Sequence, residues 1–316
     1  MSVRKVRVGV FGVGSLGQHH ARIYSELETA ELVGVHDVNP ARAQEIAQRC
    51  RTRAFADLEA LAAAVDAASV AVPTDLHHAV AMQLIRRGVH LLVEKPIAAT
   101  TAEAEEMVAA AQQRGRVLQV GHVERFNPVM RFLEEHLSAP RFIEVIRLAS
   151  YPPPREAAAP RGTEVSVVLD LMIHDLDILL HLVRSPIREV HAIGVPVLSS
   201  TEDIANARLI FESGCVANVT ASRVSQEKMR KIRVFQADTY VSLDYINQTG
   251  QLLRKTPTGI GVEPVPIERE EPLVAELKSF VQCVAERDVP VVSGQHASDA
   301  LRLAVEICKC MRENPS

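Results

Sequence analysis

Apolar and polar residues alternate where the chain begins. Val6, Val8 and Val10 are separated by Arg7 and Gly9, and Phe11 runs into Gly12-Val13-Gly14-Ser15-Leu16-Gly17. Alternation of period two predicts a strand, and the glycines after it predict a tight turn. A helical segment from Gln18 to Leu27 follows, then a second apolar run, Leu32 to Val35, that ends at Asp37. The two periods keep alternating. Asn39-Pro40 opens a helix through Ala41, Ile46 and Ala47, and a short extended piece near Ala54-Phe55 precedes a helix from Asp57 to Ala64. Ala68 to Val72 reads as a buried strand ended by Pro73-Thr74, and a helix from about Leu76 to Arg87 stops at Gly88. His90 to Glu94 is a strand interrupted by Lys95-Pro96; a helix from Thr101 to Arg114 stops at Gly115, and a strand from Val117 to Val120 meets Gly121-His122. Strand and helix in strict succession predict a doubly wound parallel sheet with both faces covered.

Beyond Gly121 the pattern changes. Arg141 to Ala149 reads as a long strand, followed by Tyr151 and three prolines and a polar loop to Arg161-Gly162. Glu164 to Val183 is apolar and helical. Strand candidates then follow one another at Glu189–Leu198, Ala205–Phe211, Val216–Ser222, Lys231–Ala237 and Tyr240–Asp244, and two helices, about Leu273–Glu286 and Ala297–Met311, end the pattern. Successive strands with no helix between them predict an antiparallel sheet, hence an α+β second domain. The expected class is α/β, with domains 1–121 and 122–316.

Bulk properties narrow the functional classes. A chain of 316 residues exceeds one ordinary core, in agreement with two domains. Its formal charge of −4 gives no general attraction to nucleic acid or an anionic membrane, so an anionic substrate needs a local arginine cluster. The five cysteines (Cys50, Cys215, Cys283, Cys308 and Cys310) are odd in number and lack metal-ligand spacing, which favours a reduced, cytoplasmic chain. No apolar run reaches the length of a membrane span.

Strand, glycine turn, helix, strand and acid form the context in which GxGxxG binds a dinucleotide. Gly12 allows the turn, Gly14 lets a pyrophosphate approach the backbone at Ser15 and Leu16, and Gly17 lets helix and strand pack closely. Free N–H groups of the first helical turn then face the phosphates. Asp37, about twenty residues on, is placed to accept from the ribose hydroxyls and to repel a 2′-phosphate, so NAD is expected rather than NADP. Glu94-Lys95-Pro96 ends a strand on the carboxyl edge of the sheet, where open α/β folds place ligands. Pro73, Thr74, His77 and His122, at neighbouring strand ends, join the expected cofactor site; His19-His20 and His77-His78 read as packing or cofactor-edge residues.

A second constellation lies in the apolar helix. Asp170, His174, Asp177 and His181 are spaced four, three and four, which predicts one face. A polar stripe on a buried helix lines a cavity or meets hydrogen-bond partners. Near a carboxylate, His174 is suited to accept a proton. Metal ligation by the same set lacks a third ligand at recognisable spacing. Gly121-His122-Val123-Glu124-Arg125-Phe126-Asn127-Pro128 carries many polar groups into the second domain, so Glu124, Arg125 and Asn127, with Tyr151, are candidate substrate contacts. Arg155 and Arg161 on the following loop are candidates for a diphosphate, which guanidinium forks match.

With these motifs in view, the chain resembles the glucose–fructose oxidoreductase / inositol dehydrogenase / MocA (Gfo/Idh/MocA) family along essentially its whole length. The resemblance implies a Rossmann domain, then a domain whose open, largely antiparallel sheet often forms an oligomer interface, hence a homo-oligomer, dimer or tetramer. It implies hydride transfer between a sugar-like alcohol and a nicotinamide cofactor. Lys95 matches the lysine of the family's EKP motif, and Asp170 and His174 match the acid and histidine of its inositol dehydrogenase-like members. The stretches Gly121 to Pro128 and Leu169 to Asp175 look most like members that oxidise C3 of UDP-N-acetylglucosamine, supplying a 3-keto sugar for amination in cell-envelope glycan synthesis. Other branches act on free sugars, inositols or polyols. The expected chemistry has His174 take the hydroxyl proton, Asp170 orient the imidazole and Lys95 bind the same oxygen; Lys95 as the base is the other assignment. A non-catalytic NAD- and sugar-nucleotide-binding regulator, and more distantly a metal-dependent hydrolase, are the readings from other classes.

Overall fold

The structure, a computed structural model, describes residues 5–153, 160 and 162–313. Six strands form the first sheet: β1 Val6–Phe11, β2 Ala30–His36, β3 Arg53–Ala54, β4 Ala67–Val70, β5 His90–Val93 and β6 Leu118–Val120. Their order is β3-β2-β1-β4-β5-β6 and all pairs are parallel. Strand order reverses at β1, so the carboxyl ends of β1 and β4 flank the switch point at which such sheets bind ligands. Each residue of β4 is buried, as a strand covered on both faces requires.

The helices between them are α1 Gly17–Glu26, α2 Pro40–Arg49, α3 Leu58–Ala64, α4 Thr74–Arg86 and α5 Thr101–Gln113. Local chemistry starts several of them. Asn39 accepts from the N–H groups of Ala41 and Arg42 at the head of α2 with Pro40 in its first turn, and Asp57 caps α3. Thr100 and Glu103 form a reciprocal capping box on α5, which satisfies two otherwise orphaned donors.

The second unit contains α6 Pro128–His136, β7 Phe142–Leu148, a π-helical turn Val168–Met172 leading into α7 Ile173–Val183, and seven more strands. These are β8 Ile187–Val195, β9 Ile204–Phe211, β10 Val216–Ser222, β11 Met229–Phe235, β12 Thr239–Asp244, β13 Thr249–Thr256 and β14 Gly259–Pro264. The sheet runs β14-β13-β12-β11-β7-β10-β9-β8, antiparallel throughout except for the β7–β10 pair. Ala205, Ala207, Leu209 and Phe211 of β9 and Ala217, Val219 and Ala221 of β10 are buried, and Ile204, Asn206 and Arg208 point outward.

The units are not the continuous stretches 1–121 and 122–316. One comprises Met1–Arg125 with Glu271–Ser298, the other Phe126–Glu270 with Asp299–Ser316. α8 Pro272–Glu286 returns to the first unit, where Leu277, Phe280, Val281 and Val284 join Val8, Val10, Ile23 and Tyr24 in one core. α9 Gly294–Glu313 carries the chain on into the second. Long-range return of a helix leaves no mark in local periodicity. The sequence reading also lacked α6, β13 and β14: the hairpin is largely exposed and glycine-interrupted, so it shows little alternation. No helix among the described residues is long and apolar enough to cross a membrane.

Candidate active site

The glycine turn leaves β1 at Phe11. Gly12 has φ +83°, and a Cβ there would lie 2.7 Å from the Ala71 carbonyl oxygen; a Cβ on Gly17 would collide with the Gly12 carbonyl. Both positions are closed to any side chain by neighbouring backbone. Gly14 differs, because a Cβ there meets nothing within 4 Å. Gly12 and Gly17 therefore shape the turn, and the space beside Gly14 is open to a ligand. Leu16, at the N-cap of α1, offers no side-chain hydrogen bond to the helix and the first turn holds no acid, whereas Asn39, Asp57 and Thr100 cap α2, α3 and α5. The Gln18 and His19 N–H groups donate to the Gly14 and Leu16 carbonyls, and no side chain competes with an anion for the positive end of the helix dipole. Ser15 is exposed and Leu16 half-buried at that end.

Asp37, half-buried after β2, accepts the Val13 N–H at 2.8 Å with one oxygen and the Asn39 N–H at 2.9 Å with the other. It braces the glycine turn. Each oxygen keeps a second lone pair for a ribose hydroxyl, so the residues present fit a dinucleotide.

At the end of β5, Glu94 is buried and Lys95 half-buried, and the Lys95–Pro96 peptide is cis. Glu94 Oε2 accepts the Lys95 N–H at 3.3 Å, and Glu94 Oε1 lies 3.0 Å from His20 Nε2. Burial works to raise the Glu94 carboxyl, but the hydrogen bond and charge of His20, with Lys95, hold it below the ordinary carboxylate value. His77, on α4 and buried, stands between two carbonyls, Pro96 at 2.8 Å from Nδ1 and Val72 at 3.0 Å from Nε2. Burial lowers its pKa against these bonds; a neutral ring donates to one carbonyl at a time. His77 thus ties the turn after β5 to the loop after β4. Pro73 is exposed and Thr74 half-buried on that loop, and His122 is buried beyond β6.

Glu124 and Arg125 are buried in the 3-10 turn Val123–Phe126. Asn127, also buried, accepts from the Val129 N–H to start α6 and donates to the Tyr245 carbonyl at 3.1 Å. Its amide is committed to the fold, a role that the polar count of the sequence did not separate from ligand binding.

The second unit's helix carries the expected stripe with one change at its start. Its first turn is π-helical, and four-residue spacing across a π turn no longer keeps side chains on one line. Asp170, in that turn, and His174, just after it, are half-buried. Asp177 is buried, and His181 reaches Glu134 of α6 at 2.7 Å on the surface. His174, Asp177 and His181 keep α-helical spacing along α7, and only the step from Asp170 to His174 crosses the π turn. π turns recur at functional sites because they re-aim side chains.

Two buried arginines support this region, and neither was singled out in the sequence. Arg147 of β7 grips Asp175 with two bonds of 2.7 Å, both side chains almost fully buried. Arg223, after β10, donates to Asp203 at 2.8 Å, to the carbonyls of Gly162 at 2.6 Å and Val165 at 2.9 Å, and to Ser199 and Thr201. Gly162, φ +83°, lies so close to Asp170 that a Cβ would overlap its carboxylate. Arg223 thereby anchors the chain that presses on Asp170. Asp203 also accepts the Leu198 and Ser199 N–H groups; burial opposes its ionisation, yet Ser199, Arg223 and Leu198 hold it well below the usual carboxylate range. The only sequence signal was local, an acid and an arginine at the ends of two apolar strands. Tyr151 is half-buried in coil, whereas Arg155 and Arg161 lie outside the described residues.

Residues 6–122 match the model of an oxidoreductase family with an NAD-binding Rossmann fold, and residues 134–238 match the Gfo/Idh/MocA C-terminal domain. The chain is 38% identical to UDP-N-acetylglucosamine 3-dehydrogenase of Acidithiobacillus ferrooxidans over 96% of each chain. A solved structure of that enzyme superposes with a TM-score of 0.92 over 98% of each chain, at 36% identity. Myo-inositol 2-dehydrogenase of Thermotoga maritima is 26% identical over 98% of each.

Proposed function

The chain belongs to the Gfo/Idh/MocA family of NAD-binding oxidoreductases, and we propose from there that it oxidises C3 of UDP-N-acetylglucosamine to the 3-keto sugar. The observation that carries the substrate is the 38% identity, spread over nearly the full length, to an enzyme of that name. Lys95 at the end of β5 and the Asp170–His174 pair at the π turn supply the chemistry that such an oxidation needs.

Bound NAD supplies the hydride acceptor. In our reading Gly14 and the uncapped α1 receive the pyrophosphate, and Asp37 receives the adenosine ribose. His174 takes the proton from the substrate hydroxyl, and Asp170 orients the ring and favours its charged form. The Lys95 ammonium donates to the same oxygen and stabilises the negative charge that develops there. Glu124, Arg125, Tyr151, Arg155 and Arg161 are the proposed contacts to the rest of the substrate, the arginines for its diphosphate.

The test is direct. Purified protein incubated with NAD and UDP-N-acetylglucosamine should generate the reduced-nicotinamide absorbance, and free N-acetylglucosamine, inositols and other polyols should give far less. A polyol turned over faster than the sugar nucleotide would move the enzyme to the inositol branch, which the full-length similarity to an inositol dehydrogenase keeps as the second reading.

We place the enzyme in the cytoplasm, where its 3-keto product would meet an aminating step of cell-envelope glycan synthesis. We also propose a homo-oligomer, a dimer or tetramer. Ile193, Val195 and Ile204 on β8 and β9, and Ile260 and Val262 on β14, are exposed apolar residues of one sheet, a pattern suited to cover by a second copy. Sedimentation should give a species larger than one chain, and Ile193→Lys should shift it toward the monomer.

A further inference from the structure

Behind Lys95 lies a chain of buried polar groups that the proposed chemistry does not use. Tyr24 Oη is 2.8 Å from Ser69 Oγ, Ser69 Oγ is 2.9 Å from His20 Nδ1, and His20 Nε2 is 3.0 Å from Glu94 Oε1. Glu94 Oε2 then accepts the Lys95 N–H. His20 and Ser69 are completely buried, and Tyr24 nearly so. An ionised carboxylate only accepts, so His20 Nε2 carries the hydrogen whether the ring is neutral or charged. With a neutral ring, Ser69 donates to Nδ1 and Tyr24 donates to Ser69. Every group then has a partner, as a buried polar network requires.

We propose that His20 is a positioning residue for Lys95, holding Glu94 in one orientation and as the fixed negative charge beside the lysine. The inference rests on the assignment of Lys95 to the reacting oxygen. Glu94 is enclosed on several sides. A Cβ on Gly121, at the end of β6, would lie 3.0 Å from Glu94 Oε2, so the carboxylate packs against a position that leaves it room only as glycine. The ionisable groups around it are His20 and Tyr24 from α1, His77 from α4, Lys95 from its own turn, and Glu276 from α8. Glu276 is completely buried, and its carboxyl oxygens have no hydrogen-bond partner among the described residues. Burial, and then the charge of Glu94, push its pKa far up and favour its neutral form. Tyr24 is likewise kept neutral, by burial above all. Glu94 is thereby left as the single anion of the cluster, one residue from Lys95. Without the His20 bond a carboxyl buried this deeply takes up a proton. Lys95 then loses its counter-charge.

The experiment compares His20→Ala, His20→Gln, Glu94→Gln and Lys95→Met with the full-length wild type. His20→Ala and Glu94→Gln should each lower kcat roughly tenfold with the KM for NAD within about twofold. Both should move the alkaline limb of the kcat/KM profile to lower pH by about one unit. The double variant should add nothing to either. His20→Gln keeps a donor toward Glu94 and should restore most of the profile. Infrared difference spectra read the same charge without turnover. Wild type minus Glu94→Gln should show an ionised carboxylate at neutral pH, and the same subtraction made on the His20→Ala background should show a protonated carboxyl. A His20→Ala enzyme with the wild-type pH profile, or with Glu94 still ionised, overturns the inference. Near-normal turnover in Lys95→Met instead overturns the assignment of Lys95, and the infrared result still decides whether His20 holds the charge on Glu94.

Discussion

The two units arrange their functional groups by different means. In the first, the proposed ligand-facing surface is mostly backbone: a turn closed by Gly12 and Gly17, an uncapped helix end, and one acid, Asp37, which holds that turn. In the second, Asp170 sits in a π turn whose surroundings are fixed by two arginines buried against carboxylates, Arg147 with Asp175 and Arg223 with Asp203. Backbone geometry is written in short, contiguous motifs. Buried ion pairs join residues 20 and 28 positions apart, and their energy depends on both partners being present. The first kind of site tolerates change except where a Cβ is forbidden, and the second fails when either half of a pair is lost.

The largest expected effects lie on one residue from each unit. His174→Ala should lower turnover roughly a hundredfold to ten-thousandfold, the range for losing a positioned base. Lys95→Met should cost roughly a hundredfold to a thousandfold, as for an electrostatic donor at a developing oxyanion. Neither should change NAD affinity, measured by fluorescence titration, by more than about twofold. A much larger loss in Lys95→Met than in His174→Ala would make the lysine the base and concentrate the chemistry in the first unit.

Next in size is the stability of the second unit. Arg223→Ala leaves Asp203 buried without its cation, and loss of one partner of a buried pair costs about 3–5 kcal/mol. It also frees the Gly162 and Val165 carbonyls, so activity should fall by more than the loss of folded protein explains. Urea denaturation read beside kcat checks both. A loss below about 1 kcal/mol would mean that these pairs are no more than surface-like ion pairs.

This contrast also explains what could be read from the chain alone. Gly12, Gly14 and Gly17 with the strand before and Asp37 after announce the parallel sheet and its switch point, since each acts within a few residues of itself. Lys95 was placed the same way, at a strand end, and it does follow β5. His20 was read as a packing or cofactor-edge residue, because its partners Ser69 and Glu94 are 49 and 74 positions away and no local period links them. The stripe from Asp170 to His181 assumed an α-helix throughout; the π turn changes the step from Asp170 to His174 and leaves the rest in register. The return of α8 to the first unit was invisible for a related reason, since an amphipathic helix shows that it has an apolar face but not which core receives it.

Smaller effects separate shape from binding within the glycine turn. Gly17→Ala collides with the Gly12 carbonyl and should destabilise the protein by about 1–3 kcal/mol. Gly14→Ala meets open space, so its stability should stay within about 0.5 kcal/mol of wild type, while NAD binding weakens about tenfold. Equal thermal shifts in the two variants, or full NAD affinity in Gly14→Ala, would show that the open side of the turn is not where the cofactor lies.

The smallest expected effect concerns pH, and the two units should respond with opposite sign. Asp203, in the second, is ionised well below the ordinary carboxylate range in the folded chain. Its contribution is present above the unfolded value and is lost as pH falls through the folded one. Glu276, in the first, has its carboxyl raised by burial and then by the charge of Glu94. Between the unfolded and folded values the native state holds a proton that the unfolded chain has released. Stability therefore declines as pH rises, by at most about 1.4 kcal/mol per unit. Glu276→Gln keeps the shape and removes the ionisation, so its stability should lose that decline while the acid limb set by Asp203 is unchanged. Denaturation midpoints of both proteins, followed from mildly acid to alkaline pH, measure the difference. Parallel curves would mean that Glu276 is already ionised in the fold, and Glu94 would then not be the only anion behind Lys95.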